Sequence, residues 1–366
     1  MKSMAMVLER FNQPLVEHTF DVPVLSEGEM LVEIDASGVC GSDVHMWHGE
    51  DPRLRLPMIP GHEGVGTIVD MKGTHLSVDG EKLTPGDNVI WNRGVTCGSC
   101  WYCQVAREPS LCVNRAVYGI NISCDDRRRL TGCYAEHIIL RSGTDVFRLP
   151  TGVDPAVLVP SCCSGATAAH AFDEVGASLI GGTVVIQGPG PLGLFAVAFA
   201  RRNGASRIIV IGGSPERLSL CSTFGADITV NRRETSVENR RDIVFDLTGG
   251  RGADIVIEAA GTRGAAEEGV RLLRRGGNYL LTGYAQPVGS DSIDFYRDIV
   301  NRNVTIKGIW VSDTRHLRQA VELVMSDPDL FAGLVTHRFP LDGAQDALRV
   351  MDSHEALKAV LLPHVG

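Results

Sequence analysis

The sequence predicts an α/β protein with two units, one β-rich and the other a doubly wound parallel sheet. Three observations carry this. Up to about residue 160 the apolar residues fall in short, partly alternating runs broken by Gly, Pro and Asp. From Ser164 onward strand-like and helix-like patterns alternate, the signature of a parallel sheet covered on both faces. At Thr183 a β-branched apolar run enters a glycine-rich turn and then an apolar helix. The chain has 366 residues, more than one typical domain needs, so two units are expected on length as well.

The elements follow in order. Met30–Ile34, Gly64–Asp70 and Asn88–Trp91 read as strands of the first unit. In the second, Thr167–Val175 reads as a helix, Thr183–Gln187 as a strand, Leu192–Asn203 as a helix, Arg207–Ile211 as a strand and Glu216–Phe224 as a helix. Asp254–Glu258, Tyr279–Thr282 and Thr305–Val311 add strands. Near Thr336–Leu341 the β-like character returns, as expected if the chain comes back to the first unit. The boundaries expected are 1–164 with 311–366 for the β-rich unit and 165–310 for the parallel sheet.

Composition excludes several classes. The chain is 44% hydrophobic and 22% charged, an ordinary globular balance. Its net charge of -9 argues against nucleic acid, whose binders are basic. The N-terminus MKSMAMVLERFNQP lacks the apolar core of a signal peptide. The most apolar stretch, Thr183–Ala200, is interrupted by Gly188, Pro189, Gly190, Pro191 and Gly193, so no membrane span is expected. Ten cysteines without an export signal read as metal ligands or buried thiols, and the expected location is cytoplasmic.

Val184-Val185-Ile186-Gln187-Gly188-Pro189-Gly190-Pro191-Leu192-Gly193 is a strand running into G-x-G-x-x-G and a helix. Gly188 makes the tight turn, Gly190 lets the backbone approach a pyrophosphate, and Gly193 lets helix and strand pack closely. Pro191 and Leu192 lead from this turn into the helix whose N-terminus favours the phosphates. The acidic residue expected at the end of the next strand is absent, and Gly212 stands there. Without that carboxylate a 2′-phosphate is not repelled, and Ser214 and Arg217 are candidates to receive it. Glu216 between them restores a negative charge, so NAD and NADP both stay open.

Two cysteine clusters carry the metal chemistry. Cys97, Cys100, Cys103 and Cys112 form C-x-x-C-x-x-C-x8-C, which can close around one tetrahedral zinc. A redox cluster or an iron–sulfur centre is the alternative for these thiols. The second set is dispersed: Cys40, then His62-Glu63, then Cys162-Cys163. Three soft or borderline donors from distant segments fit a zinc site with an open position. Cys162 and Cys163 cannot both serve, because neighbours on extended backbone point oppositely.

Cys40-Gly41-Ser42-Asp43-Val44-His45, Gly61-His62-Glu63-Gly64-Val65-Gly66, the four-cysteine loop and the glycine-rich turn occur in one order. Over nearly the whole chain that order resembles the zinc-dependent medium-chain alcohol dehydrogenases. The resemblance implies a GroES-like β-rich catalytic domain plus a Rossmann doubly wound parallel-sheet domain, two zinc ions per chain, NAD(P), and a homodimer or homotetramer. It implies a catalytic zinc on Cys40, His62 and Cys163, with Cys162 a buried thiol, and a structural zinc on Cys97, Cys100, Cys103 and Cys112. It places Glu63 close to the metal and Asp43 where it orients the histidine ligand. It assigns proton relay to Ser42 and His45 rather than His48, and puts Lys358 near the pyrophosphate.

The reaction implied is reversible oxidation of an alcohol to an aldehyde or ketone, with zinc as Lewis acid and the nicotinamide as hydride carrier. Trp47, His48, Trp91 and Trp310 are candidate pocket walls, which favours a secondary alcohol, cyclic or terpenoid ones included. A polyol dehydrogenase is the alternative, although its relatives commonly carry a carboxylate where Cys163 stands. A cofactor-binding structural or sensor protein is the second. His137, His170 and His337 have no partner at ligand spacing and read as structural.

Overall fold

The computed structural model describes residues 1–176 and 178–364. Two units emerge, Met1–Cys163 joined by the C-terminal segment from Ser312, and Ser164–Val311. In the first, a seven-stranded sheet runs His337–Phe339, Ala359–Leu361, Met30–Val39, Gly64–Met71, Asn88–Trp91, Val146–Arg148, and His137–Leu140 also pairs with Met30–Val39.

Met30–Val39 is the spine of this sheet, and it runs five residues beyond the expected Ile34. The polar Asp35 hid that continuation. A register shift between Ile34 and Ala36 opens the ladder there, and Asp35 accepts a hydrogen bond from the Thr67 hydroxyl at 2.9 Å. The extension matters because it delivers Cys40. Ser37 pairs with Gly64, and the Gly38 N–H donates to the Glu63 carbonyl at 3.1 Å, so the strand leading to Cys40 lies beside His62-Glu63. On the other side Ala359 pairs with Val39, which sets Lys358 next to the same strand end.

The second unit is a six-stranded, all-parallel sheet in the order Ile228–Asn231, Arg207–Gly212, Thr183–Gln187, Ala253–Glu258, Leu273–Leu281, Thr305–Gly308. In sequence terms this is 3-2-1-4-5-6, the doubly wound order. Thr183–Gln187 is buried along its whole length, which is why it reads as a continuous apolar run rather than an alternating one. Helices Ser164–Val175, Pro191–Arg202 and Pro215–Thr223 begin one to three residues earlier than their apolar patterns do. Proline opens two of them, and its missing N–H costs nothing at that position. Among the described residues no helix is long and apolar enough to cross a membrane.

Candidate active site

Cys40 caps helix Gly41–His48. Its N–H donates to Asp43 Oδ2 at 2.7 Å, which fixes the turn in which the thiol projects. His62 and Glu63 precede strand Gly64–Met71 and are fully buried, and Cys163 lies immediately before helix Ser164–Val175. The donor atoms of Cys40, His62, Glu63 and Cys163 all lie within 4.8 Å of one another. Cys162 turns away. Its thiol donates to the Gly64 carbonyl at 3.6 Å, and burial pushes it up to about 12.

The donor chemistry fits a metal. His62 Nε2 and Glu63 Oε1 are buried without a hydrogen-bond partner among the described residues, which a coordinated cation would resolve. Asp43 Oδ1 stands 3.3 Å from His62 Nδ1, close enough to orient the ring. Burial alone would lower His62, but the Asp43 carboxylate and the Cys40 thiol beside it raise it to about 9. Metal binding displaces that proton. Cys163 is held below the ordinary thiol value by its contact with Cys40 and by the charge of Arg93, against burial.

Glu63 has a second neighbour that spacing does not reveal. Lys358 Nζ is 2.5 Å from Glu63 Oε2, and both side chains are buried. Lys358, expected near the pyrophosphate, has its ammonium matched here by the Glu63 carboxylate.

Ser42 and His45 lie three residues apart in helix Gly41–His48, hence on adjoining positions of one face. His45 Nδ1 pairs with Glu50 Oε2 at 2.7 Å. His48 has both ring nitrogens engaged, Nδ1 with Asn12 at 2.8 Å and Nε2 with Asp352 at 3.4 Å. Trp91 corrects the expected pocket wall. It is 1% exposed in the core, packed where a Cβ on Gly64 would be 2.5 Å from its ring. Trp47 gives its indole N–H to the Gln13 carbonyl at 2.7 Å. His137, His170 and His337 bond Ser3, the Val311 carbonyl and Thr336.

Cys97, Cys100, Cys103 and Cys112 also converge within 4.8 Å. The Cys97 N–H points at Cys112 Sγ and the Cys100 N–H at Cys97 Sγ, both at 3.3 Å. Backbone N–H groups aimed at sulfur stabilise thiolate, and those of Ser99 and Cys100 lower Cys97 to about 5. The Cys100–Cys103 and Cys97–Cys112 Sγ pairs are each 3.5 Å apart, far beyond an S–S bond. This arrangement fits four thiolates around one closed metal.

In the second unit, Gly188 has φ +114 and Gly193 leaves no room for a side chain, since a Cβ would be 1.8 Å from the Gly188 carbonyl oxygen. Gly190, the cap of helix Pro191–Arg202, faces open space with no atom within 4 Å of a Cβ. That is the cradle a pyrophosphate needs. Gly212 is required by packing, because a Cβ there would be 2.5 Å from Pro189 Cγ. Ser214 caps its helix by accepting from the Arg217 N–H at 3.3 Å and donates to Glu216 Oε2 at 2.7 Å.

Two features escaped sequence reasoning. Arg232 and Arg233 close on Gly213, with Nε atoms 3.2 and 3.3 Å from where its Cβ would be. Arg93, 7% exposed, donates from Nη1 to Cys163 Sγ at 2.7 Å. No motif marks either; both depend on which loops the fold brings together.

Comparison with known proteins agrees with this geometry. The alcohol dehydrogenase GroES-like domain family matches residues 26–151 and the zinc-binding dehydrogenase family matches residues 191–326. A 5-exo-hydroxycamphor dehydrogenase of Pseudomonas putida is 34% identical over 349 residues, 94% of each chain. An alcohol dehydrogenase from Thermotoga maritima superposes with a TM-score of 0.97 at 52% identity over the full length of both chains. A putative zinc-binding dehydrogenase from Sinorhizobium meliloti, bound to NADP, has a TM-score of 0.85 at 25% identity over 99% of this chain and 100% of its own. The chain thus belongs to the zinc-dependent medium-chain alcohol dehydrogenases, and is an oxidoreductase that acts on CH–OH groups with zinc and NAD(P).

Proposed function

We propose that this chain interconverts a secondary alcohol and its ketone, with Cys40, His62 and Cys163 holding the reactive zinc and Cys97, Cys100, Cys103 and Cys112 the structural one. When bound, zinc supplies Lewis acidity toward the alcohol oxygen and the nicotinamide accepts or returns hydride. The supporting observation is the convergence of the Cys40, His62 and Cys163 donors within 4.8 Å, with His62 Nε2 buried and making no hydrogen bond among the described residues.

Asp43 orients His62. Ser42 takes the alcohol proton by hydrogen bond, and His45, one helical turn on, returns it to solvent. His48 is excluded from the relay because both its nitrogens are engaged. Glu63 stays off the metal while Lys358 neutralises it. The turn of Gly188, Gly190, Pro191, Leu192 and Gly193 receives the pyrophosphate, and Lys358 is assigned to Glu63 instead.

A secondary alcohol is favoured by the Pseudomonas putida relative, whose name specifies a hydroxycamphor. A homodimer or homotetramer is supported by the edge strand Thr305–Gly308 and the exposed Phe295, Tyr296 and Val300 before it. Ten unpaired cysteines favour a reducing compartment, the cytoplasm.

Metal analysis and a panel of secondary alcohols, assayed with NAD and NADP separately, test the reading. Two zincs per chain with turnover support it. One zinc and no turnover would leave a cofactor-binding protein with the structural site alone.

A further inference from the structure

Arg93 follows strand Asn88–Trp91 and sits against the reactive donors, yet the roles above leave most of it unused. Nη1 meets Cys163 Sγ at 2.7 Å, and this is its one recorded side-chain hydrogen bond among the described residues. The opposite edge of the guanidinium, Nε and Nη2, presents two parallel N–H groups with no protein acceptor recorded there. Nor does an ion pair join Arg93 to a carboxylate among the described residues, whereas Arg53 meets Asp51 and Arg128 meets Asp126 in the same unit. The nearby Glu63 is already matched by Lys358.

A second guanidinium stands behind the first. Strand Gly94–Val95 pairs with Ala116–Val117, which brings Arg115 over Gly94, where a Cβ would be 2.0 Å from Arg115 Nε. Arg115 donates to the Ser312 carbonyl at 2.7 Å and reaches Asn92 Oδ1 at 3.4 Å, while its Nε and Nη1 are buried without partners among the described residues. Burial, and then the charge of Arg93, lower Arg115 to about 10. Asn92 in turn accepts from the Gly94 N–H at 3.1 Å and donates to Thr314 at 2.9 Å, so the Arg93 loop is held on both sides.

The Cys163 and Cys40 thiols and the Glu63 carboxylate favour the charge on Arg93, but among the described residues only Cys163 takes a hydrogen bond from its side chain. Polarising Cys163 uses a single N–H of Arg93. The remaining edge matches a planar group with two acceptor oxygens. We propose that Arg93 binds a carboxylate carried by the alcohol, so that the substrate is a secondary hydroxy acid. The donors lie within 4.8 Å of one another and Arg93 touches one of them, so the carboxylate belongs one or two carbons from the carbinol. Arg115 is a positioning residue that keeps the Arg93 loop in place and adds to the positive field.

This rests on the alcohol dehydrogenase reading, and the test separates the two. 2-Hydroxy and 3-hydroxy acids are assayed beside their methyl esters, with NAD and NADP, on the zinc-loaded enzyme. The acids are expected to exceed the esters in kcat/KM by roughly 10- to 100-fold. Arg93→Met removes that preference and Arg93→Lys restores part of it. Binding is read independently by calorimetric titration with propanoate and propanamide, where Arg93→Met weakens propanoate alone.

Equal use of acid and ester by the wild type overturns the proposal and leaves the alcohol dehydrogenase standing. So does an acid-to-ester ratio that survives Arg93→Met. Loss of zinc from Arg93→Met with propanoate affinity retained assigns Arg93 to Cys163 alone, and overturns it as well. Turnover of neither series, with either cofactor, counts against the parent reading, and the propanoate titration then decides whether Arg93 binds carboxylate.

Discussion

Lys358 and Glu63 form an ion pair sealed from solvent, Nζ to Oε2 at 2.5 Å, with side chains 2% and 0% exposed. Burial works to deprotonate the lysine, but Glu63 and the neighbouring thiols hold it charged. Removing one partner strands the other charge. Lys358→Met and Glu63→Gln are each expected to cost about 3–5 kcal/mol in urea unfolding. The double variant should cost clearly less than the two together, since no lone charge remains.

The adjacent cysteines should separate cleanly. Cys163→Ala should lower zinc from two ions per chain to one and abolish turnover, with the four-cysteine site intact. Cys162→Ala removes only a buried thiol on the Gly64 carbonyl, and should keep both zincs at a cost of about 1 kcal/mol. Atomic absorption on both variants decides the ligand, and retention of two zincs by Cys163→Ala would reject the assignment.

A pH window should distinguish metal-free from zinc-loaded protein. In the metal-free fold His62 is raised from 6.5 to about 9, so its extra affinity for a proton stabilises the native state fully below pH 6.5. That contribution disappears as pH rises to about 9 and amounts to roughly 3 kcal/mol at most. Zinc holds the imidazole neutral, so loaded protein should lack the window, and so should metal-free His62→Asn. Urea midpoints across pH 6–9.5 give the comparison.

Gly190→Ala and Gly193→Ala should fail in different ways. A methyl at Gly190 meets no protein atom, so melting should be unchanged while cofactor affinity falls at least about tenfold, because the methyl enters the phosphate cradle. A methyl at Gly193 would be 1.8 Å from the Gly188 carbonyl oxygen, and should cost at least about 3 kcal/mol of stability. Calorimetric melting and cofactor titration on both variants check the contrast. An unchanged cofactor affinity in Gly190→Ala would count against the cradle.

What the chain alone determined is local. The four cysteines from Cys97 to Cys112 and the turn from Gly188 to Gly193 are short segments whose spacing dictates their geometry, so both were readable before any contact was known. The alternation of strands and helices beyond Ser164 was equally legible, because a sheet buried on both faces needs apolar runs punctuated by turns. Tertiary structure decided the rest. The thiol that turns toward Cys40 depended on where helix Ser164–Val175 begins, and the partner of Glu63 on the pairing of Ala359 with Val39. Trp91 went to the core, and Arg93 took its place beside Cys163 through the closing of Gly94–Val95 on Ala116–Val117. The physical reason is that covalent spacing constrains only neighbours, whereas contacts between distant residues follow strand register, and register is set by packing across the whole sheet.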